Sequence, residues 1–363
     1  MKKILFLCPY PENCAAGQRL KFEPHFQYFA ENSFGISVNS FMTQRLWEIA
    51  YKDGHFLEKI FLTLFCLVRR FVSLFFLRQY DAVYIFMDVV PFGPTIFERL
   101  ACFMSKKIIY DIEDNVLEQE AKNKRFVKRF FSSNQRYKLL IQQAEHTIAS
   151  TPALAGRCKE ISQNKDVSCI LPTLDRARFH PRVLNMPSDQ TVTIGWTGTF
   201  SSKKYLELII PHLENLSKDI DFKLLIIGNF EFTHPFLNFE VLQWSASEEI
   251  SQLHQIDIGL YPLPNDPWIT GKSGLKTLQY MAIGIPSISS KFGNIKNIVT
   301  DGVEGFLVEN NEEWVGRLRY LILDQEYRLR MGAKAREKFQ KKFSQDSNQE
   351  KYLKILQKVT SFK

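Results

Sequence analysis

Short apolar runs alternate with helix-length segments twice over, which predicts an α/β chain of two doubly wound, Rossmann-like domains facing across a cleft. The length of 363 residues agrees, being too long for one ordinary core and suited to two. Composition agrees as well, since 45% hydrophobic and 24% charged residues mark a globular chain rather than a disordered or membrane-spanning one. The 47 Lys+Arg against 39 Asp+Glu leave a net charge of +8. That excess suits an anionic partner such as nucleic acid, a lipid head group or a phosphorylated substrate.

In chain order, Lys3–Cys8 reads as a first strand, because only five apolar residues precede Pro9, too few for a secretory leader. Further strand-like runs in the first half are Ile36–Phe41, Ala82–Met87, Lys107–Tyr110, Thr147–Ser150 and Val167–Leu171. In the second half they are Val192–Trp196, Lys223–Ile227, Glu240–Leu242, Ile256–Tyr261, Pro286–Ser289 and Gly305–Val308. Pro and polar residues break the pattern between Leu171 and Gln190. The expected division is therefore 1–172, 173–342 and a closing helical segment 343–363 that packs back on the first domain. The six cysteines show no CxxC pair and the seven histidines no metal-ligand spacing, which predicts reduced thiols, a cytosolic setting and no metal site.

Two segments stand apart. Ile60–Val68 is uncharged, Arg69-Arg70 follows, and Phe71–Leu77 resumes the apolar run. An arginine pair at its midpoint rules out a membrane span and leaves two readings, a half-buried helix pair or a surface that touches lipid. Residues 121–140 carry seven basic residues and no acidic one, with phenylalanines between them. Lys124, Arg125, Phe126, Lys128, Arg129 and Phe130 read either as a solvated face or as a contact with an anionic membrane surface. Nucleic acid is excluded as a partner, because no helix-turn-helix, RNP or zinc-finger pattern accompanies the charge.

The most informative block is Asp257–Ser290. A strand ends at Pro262, a Pro- and Gly-rich loop follows, and a helix is expected from about Gly274 to Ala282. Backbone N–H groups around Ser273 and Gly274 would lie bare at that helix start, with Lys272 and Lys276 adding charge, an arrangement suited to a diphosphate. Gly271-Lys272-Ser273 is not a P-loop, because Asp266 stands where its first glycine belongs.

The run Tyr280-Met281-Ala282-Ile283-Gly284-Ile285-Pro286 resembles the donor-binding segment of the GT-B glycosyltransferases of family 4, the glycosyl transferases group 1. The resemblance places the ribose-holding second Glu of the family's E-x7-E motif on Gln279. It places the first Glu, which contacts the donor sugar, on Gly271. Ser273, Gly274 and Leu275 match the turn whose amides hold the diphosphate. Gly198 and Thr199, followed by Lys203 and Lys204 and a helix Tyr205–Leu216, resemble the first strand and loop of the family's nucleotide domain. In the first half the resemblance is architectural only. There the loop Pro9–Leu20, with Gly17 and Arg19, resembles the glycine loop above the diphosphate. Many relatives carry a His after the fourth strand, where this chain has Asp111, Glu113 and Asp114.

The resemblance implies a retaining transferase with no required metal, moving sugar from a nucleotide-diphosphate sugar to a lipid-linked or saccharide acceptor in cell-envelope polysaccharide synthesis. The protein would sit peripherally on the inner face of the cytoplasmic membrane. Asp111, Asp114 and Arg19 are the candidate catalytic residues, the acids orienting or deprotonating the acceptor. Three alternatives stay open: a GT-A-like metal site on Asp111, Glu113 and Asp114, a sugar-nucleotide epimerase of GT-B shape, and a non-catalytic binding partner.

Overall fold

The computed structural model describes residues 1–50, 52–113, 116, 133–182 and 191–361. They form two compact units, Met1–Thr173 with Asn348–Lys363, and Leu174–Ser347.

The first unit runs β1 (Lys2–Cys8), α1 (Ala16–Arg19), α2 (Phe26–Glu31), β2 (Phe34–Ser40), α3 (Gln44–Ala50) and α4 (Phe56–Leu74). It continues through β3 (Ala82–Phe86), α5 (Ile96–Met104), β4 (Ile108–Ile112), α6 (Ser133–Gln143), β5 (His146–Ala149), α7 (Pro152–Ile161) and β6 (Val167–Cys169). All six strands are parallel, in the order β2-β1-β3-β4-β5-β6. β3, β4 and β5 are buried from end to end, which is why they read as continuous apolar runs rather than as alternating ones. Local chemistry sets the boundaries: Thr151 caps α7 by accepting from the Leu154 amide, and Pro152 opens it.

The second unit runs β7 (Thr193–Thr197), α8 (Lys203–Glu207), α9 (Ile210–Ser217), β8 (Lys223–Ile227), β9 (Phe239–Leu242), α10 (Glu249–Leu253) and β10 (Ile258–Tyr261). Then come α11 (Leu275–Ala282), β11 (Ser287–Ser290), α12 (Ile295–Ile298), β12 (Gly305–Val308), α13 (Asn311–Leu323) and α14 (Gln325–Lys342). Its parallel sheet has the order β12-β11-β10-β7-β8-β9. The winding direction reverses between β7 and β10, so the loops that follow these two strands flank the crevice where open α/β sheets bind ligands. In the first unit the reversal falls between β1 and β3.

The last helix, α15 (Gln345–Ser361), completes the first unit. Tyr352, Leu353, Ile355, Leu356 and Val359 join Phe6, Phe22, Phe29, Tyr84 and Ile148 in one core. The second core gathers Ile194, Trp196, Leu213, Leu224, Ile258, Ile288 and Leu318.

All twelve expected strands form, each within two residues of its expected ends. The single helix expected over Tyr205–Leu216 is two, because Pro211 cannot continue a helix and instead opens α9. Residues 56–74 make one helix followed by a short 3-10 turn, not a helix pair. Among the described residues no helix is long and apolar enough to cross a membrane.

Candidate functional site

In the second unit the loop after β10 ends in a one-and-a-half-turn 3-10 segment (Pro267–Gly271) and enters α11 through Gly274, at φ +84°. Only glycine adopts that backbone readily, and a side chain there would also strike Ile295 and Ile298. Gly274 offers α11 no side-chain cap, so the helix start keeps its donors for another acceptor. The loop is fixed from behind, where Asn294 donates to the Ser273 carbonyl at 3.1 Å.

Lys276 stands in the first turn of α11. Its ammonium lies 4.4 Å from the Trp196 ring centroid and 5.7 Å from that of Tyr261. No carboxylate pairs with it among the described residues. Burial, and secondly the charge of Lys272, push its pKa down to about 7 from the usual 10.5. A half-buried cation with no carboxylate partner among the described residues, beside free helix-start donors, is an arrangement suited to an anion. Trp196 also meets Phe230 edge to face, at 5.8 Å between centroids, with the Lys203 ammonium 5.7 Å from the Phe230 ring. Lys276 and Lys203 therefore each lie over one ring of this aromatic pair. Lys203 also donates to the Glu231 carbonyl at 3.1 Å, whereas Lys204 is exposed and lies over Tyr205. Gly198 packs against the Trp196 indole, where a side chain could not fit, and Thr199 caps the next turn with Ser202.

Gln279 is 8% exposed on α11, and its amide nitrogen donates to the Glu249 carboxylate at 3.1 Å. The other Glu249 oxygen accepts from Arg178 at 2.9 Å. With one N–H given to Glu249, the Gln279 side chain keeps its carbonyl oxygen and its second N–H for a ligand. Glu249 and Arg178 are neighbours of this candidate site that sequence reasoning missed. Thirty residues separate Glu249 from Gln279, and no motif links them.

In the first unit the loop after β1 is organised by Gln18 and Glu23. Tyr10 and Gln18 exchange two hydrogen bonds, at 2.9 and 3.0 Å, and Glu23 accepts from the Asn13 amide and from Gln18. Gly17 sits against the Glu113 carboxylate, where a Cβ would collide with it.

Three expectations need correction or limits here. Asp111 is not a solvent-facing acid: it is fully buried, paired with Lys21 and accepting from the Tyr84 hydroxyl. Strand β4 runs on to Ile112 and carries Asp111 into the core, where burial pushes its carboxyl pKa up against the opposing pull of Lys21. Both oxygens are thereby engaged, which removes it from a role with acceptor or metal. Arg19 is only 7% exposed and thus belongs to the interior side of its loop. Asp114 and the basic segment Lys124, Arg125, Phe126, Lys128, Arg129 and Phe130 lie outside the described residues.

Residues 180–338 match the family model for glycosyl transferases group 1. The whole chain superposes on sucrose-phosphate synthase from Thermosynechococcus elongatus with a TM-score of 0.73 at 13% identity, covering 99% of this chain and all of that one. It also superposes on Anabaena HepE in complex with UDP-glucose, with a TM-score of 0.66 at 15% identity over 99% of this chain and all of that one. By sequence it is 40% identical to trehalose synthase of Pyrococcus horikoshii over 83 residues, which is 23% of this chain and 20% of that protein. Across three curated relatives the matched share of their own length is 20%, 43% and 59%, under two thirds in each.

The fold is thus the GT-B architecture of α/β proteins. Within the second unit, residues 180–338 are similar to the glycosyl transferases group 1 family.

Proposed function

We propose that this chain moves a sugar from a nucleotide-diphosphate sugar to an acceptor hydroxyl, with retention of anomeric configuration and no required metal ion. The observation that carries the reading is Lys276, a half-buried ammonium with no carboxylate partner among the described residues, set over the Trp196 ring beside the uncapped start of α11. As the sugar–phosphate bond breaks, negative charge gathers on the departing diphosphate. Lys276, Lys272 and the Gly274 and Leu275 amides would meet that charge where water is scarce, so their pull strengthens as the reaction proceeds. The Gln279 carbonyl would accept from a ribose hydroxyl. The UDP-glucose held by Anabaena HepE supports a donor of this kind.

The acceptor we propose is a saccharide on a lipid carrier in cell-envelope polysaccharide synthesis, met at the inner face of the cytoplasmic membrane. The net charge of +8 supports an anionic setting for it. Thermal-shift measurements against UDP-, GDP-, ADP- and CMP-sugars test the donor. One class should raise the melting temperature, and Lys276→Ala should abolish the rise. A panel with no stabilising member would sink the transferase reading. Product analysis with labelled donor alone separates transfer from epimerisation.

A further inference from the structure

The exposed residues of 56–76 are Phe56, Leu57, Ile60, Phe61, Leu64, Phe65, Val68, Phe71, Val72, Phe75 and Phe76. Their spacing follows the helical repeat, and every one is apolar. Helix α4 is therefore inverted with respect to water: its outward stripe holds no polar group, while its inward face holds arginines. Arg70 is buried and donates to the Cys8 and Asn39 carbonyls, both at 3.0 Å. Arg69 donates to the Ser40 and Phe41 carbonyls at 2.6 and 2.8 Å. These four carbonyls lie where β1 and β2 end, so the arginine pair bolts the helix to the sheet's carboxyl edge and leaves its apolar side facing out. The apolar surface continues onto α5, where Phe97 meets Phe71 edge to face at 6.4 Å and Ile96 and Phe103 stand 61% and 72% exposed.

We propose that this face docks the first unit onto a lipid bilayer bearing anionic head groups. The helix has 19 residues and so extends about 28 Å. With one side committed to the protein core, it would lie in the interface plane with its phenylalanines among the acyl chains. Charge decides between lipid and a second copy of the chain. Among residues 56–107 the exposed charged side chains are Arg78, Arg99 and Lys106, all cations. Of the acids in this stretch, Asp88 and Glu98 are buried, Glu58 is paired with Arg45, and Asp81 accepts from the Lys3 amide, whereas Glu48 and Asp53 stand exposed before the helix begins. Arg78 lies over the Phe103 ring at 5.7 Å, so one side chain presents both an apolar stem and a charge at the margin of the patch. A second copy of the chain would find in this stripe no donors or acceptors for the hydrogen bonds usual in protein interfaces. Anionic head groups over acyl chains match both parts of the surface. The proposal deepens the membrane-side reading above, yet rests on this surface and not on the chemistry of transfer.

Sedimentation of the full chain with vesicles tests it, using phosphatidylcholine alone and phosphatidylcholine containing phosphatidylglycerol. The wild type should pellet with the anionic vesicles and release partly as salt is raised. The triple variant Phe61→Gln, Leu64→Gln, Val68→Gln should lower partitioning at least about tenfold. Its melting temperature and its response to nucleotide sugar should stay unchanged, since these side chains support neither core nor donor site. Arg78→Gln with Arg99→Gln and Lys106→Gln should erase the preference for phosphatidylglycerol. Wild type that stays in the supernatant with anionic vesicles, or a triple variant that pellets equally, overturns the proposal. A dimer in vesicle-free solution that the triple variant makes monomeric would assign the face to a second copy instead and overturn it too. Because donor binding is read separately, failure of docking and failure of the transferase reading give different results.

Discussion

Lys276 is the residue on which donor affinity should turn. Its pKa is held near 7 in the free protein, so above that pH the site must gain a proton to receive a diphosphate. Donor affinity should then fall by about tenfold per pH unit, measured as Kd or KM for the donor. Lys276→Met should remove that slope and weaken binding by about 10- to 100-fold, the scale of one lost hydrogen bond to a charged group. Stability carries the opposite sign. A lysine whose folded pKa lies below its unfolded value lets the unfolded chain bind more protons, so stability rises with pH from about 7 toward 10.5. Melting curves of wild type and Lys276→Met below and above neutrality should show the difference converge at high pH. A second prediction concerns Gln279, which stands where the family has glutamate. Restoring that glutamate sets two carboxylates where a 3.1 Å hydrogen bond now lies, so Gln279→Glu should weaken donor binding. Adding Glu249→Gln should restore it, in a double-mutant cycle with coupling well above additivity. Asp111→Asn tests the correction made above. It leaves Lys21 buried without its counter-charge and should cost about 3–5 kcal/mol in chemical denaturation. Selective loss of turnover in a variant of unchanged stability would return Asp111 to the reacting groups.

Helix α11 illustrates what an element adds to its residues. Gly274→Ala forces a left-handed backbone on a residue with a Cβ and pushes on Ile295 and Ile298. A loss of about 1–2 kcal/mol is expected from the backbone alone, with a smaller donor-induced thermal shift. That start was legible from the Gly and Ser before an apolar helical repeat, as were the strands from their β-branched runs. Helix α4 was legible only as an oddity. Its arginine pair looks like an interruption in a linear reading, because the carbonyls it caps lie 28 to 62 residues away. Asp111 failed for a related reason: an acid just past a strand and an acid inside it read alike until the strand's last residue is known.

At the scale of the molecule, two sheets and their order of elements followed from periodicity, but the contacts that finish each core did not. Tyr352 on α15 meets the His25 ring at 4.9 Å, and no spacing in the sequence ties residue 352 to residue 25. The likeness between halves is architectural, so nothing in the second half could supply the pattern of the first. The site was legible where a motif is local, around 271–286, and opaque where Glu249 and Arg178 reach it from other elements. Removing residues 348–361 should strip Tyr352, Leu356 and Val359 from the first core while leaving the second intact. Circular dichroism should then show a partial loss of cooperative unfolding, and limited proteolysis should spare a fragment near 174–347. The same connectivity orders the protein's synthesis. The chain leaves its first unit at Thr173 and re-enters it at Asn348, so the second unit is nested within the first. On the ribosome the later unit is complete first. The earlier one, with its apolar helix outward, must wait for the final helix to emerge, and during that interval it is the part exposed to chaperones and to the nearest membrane.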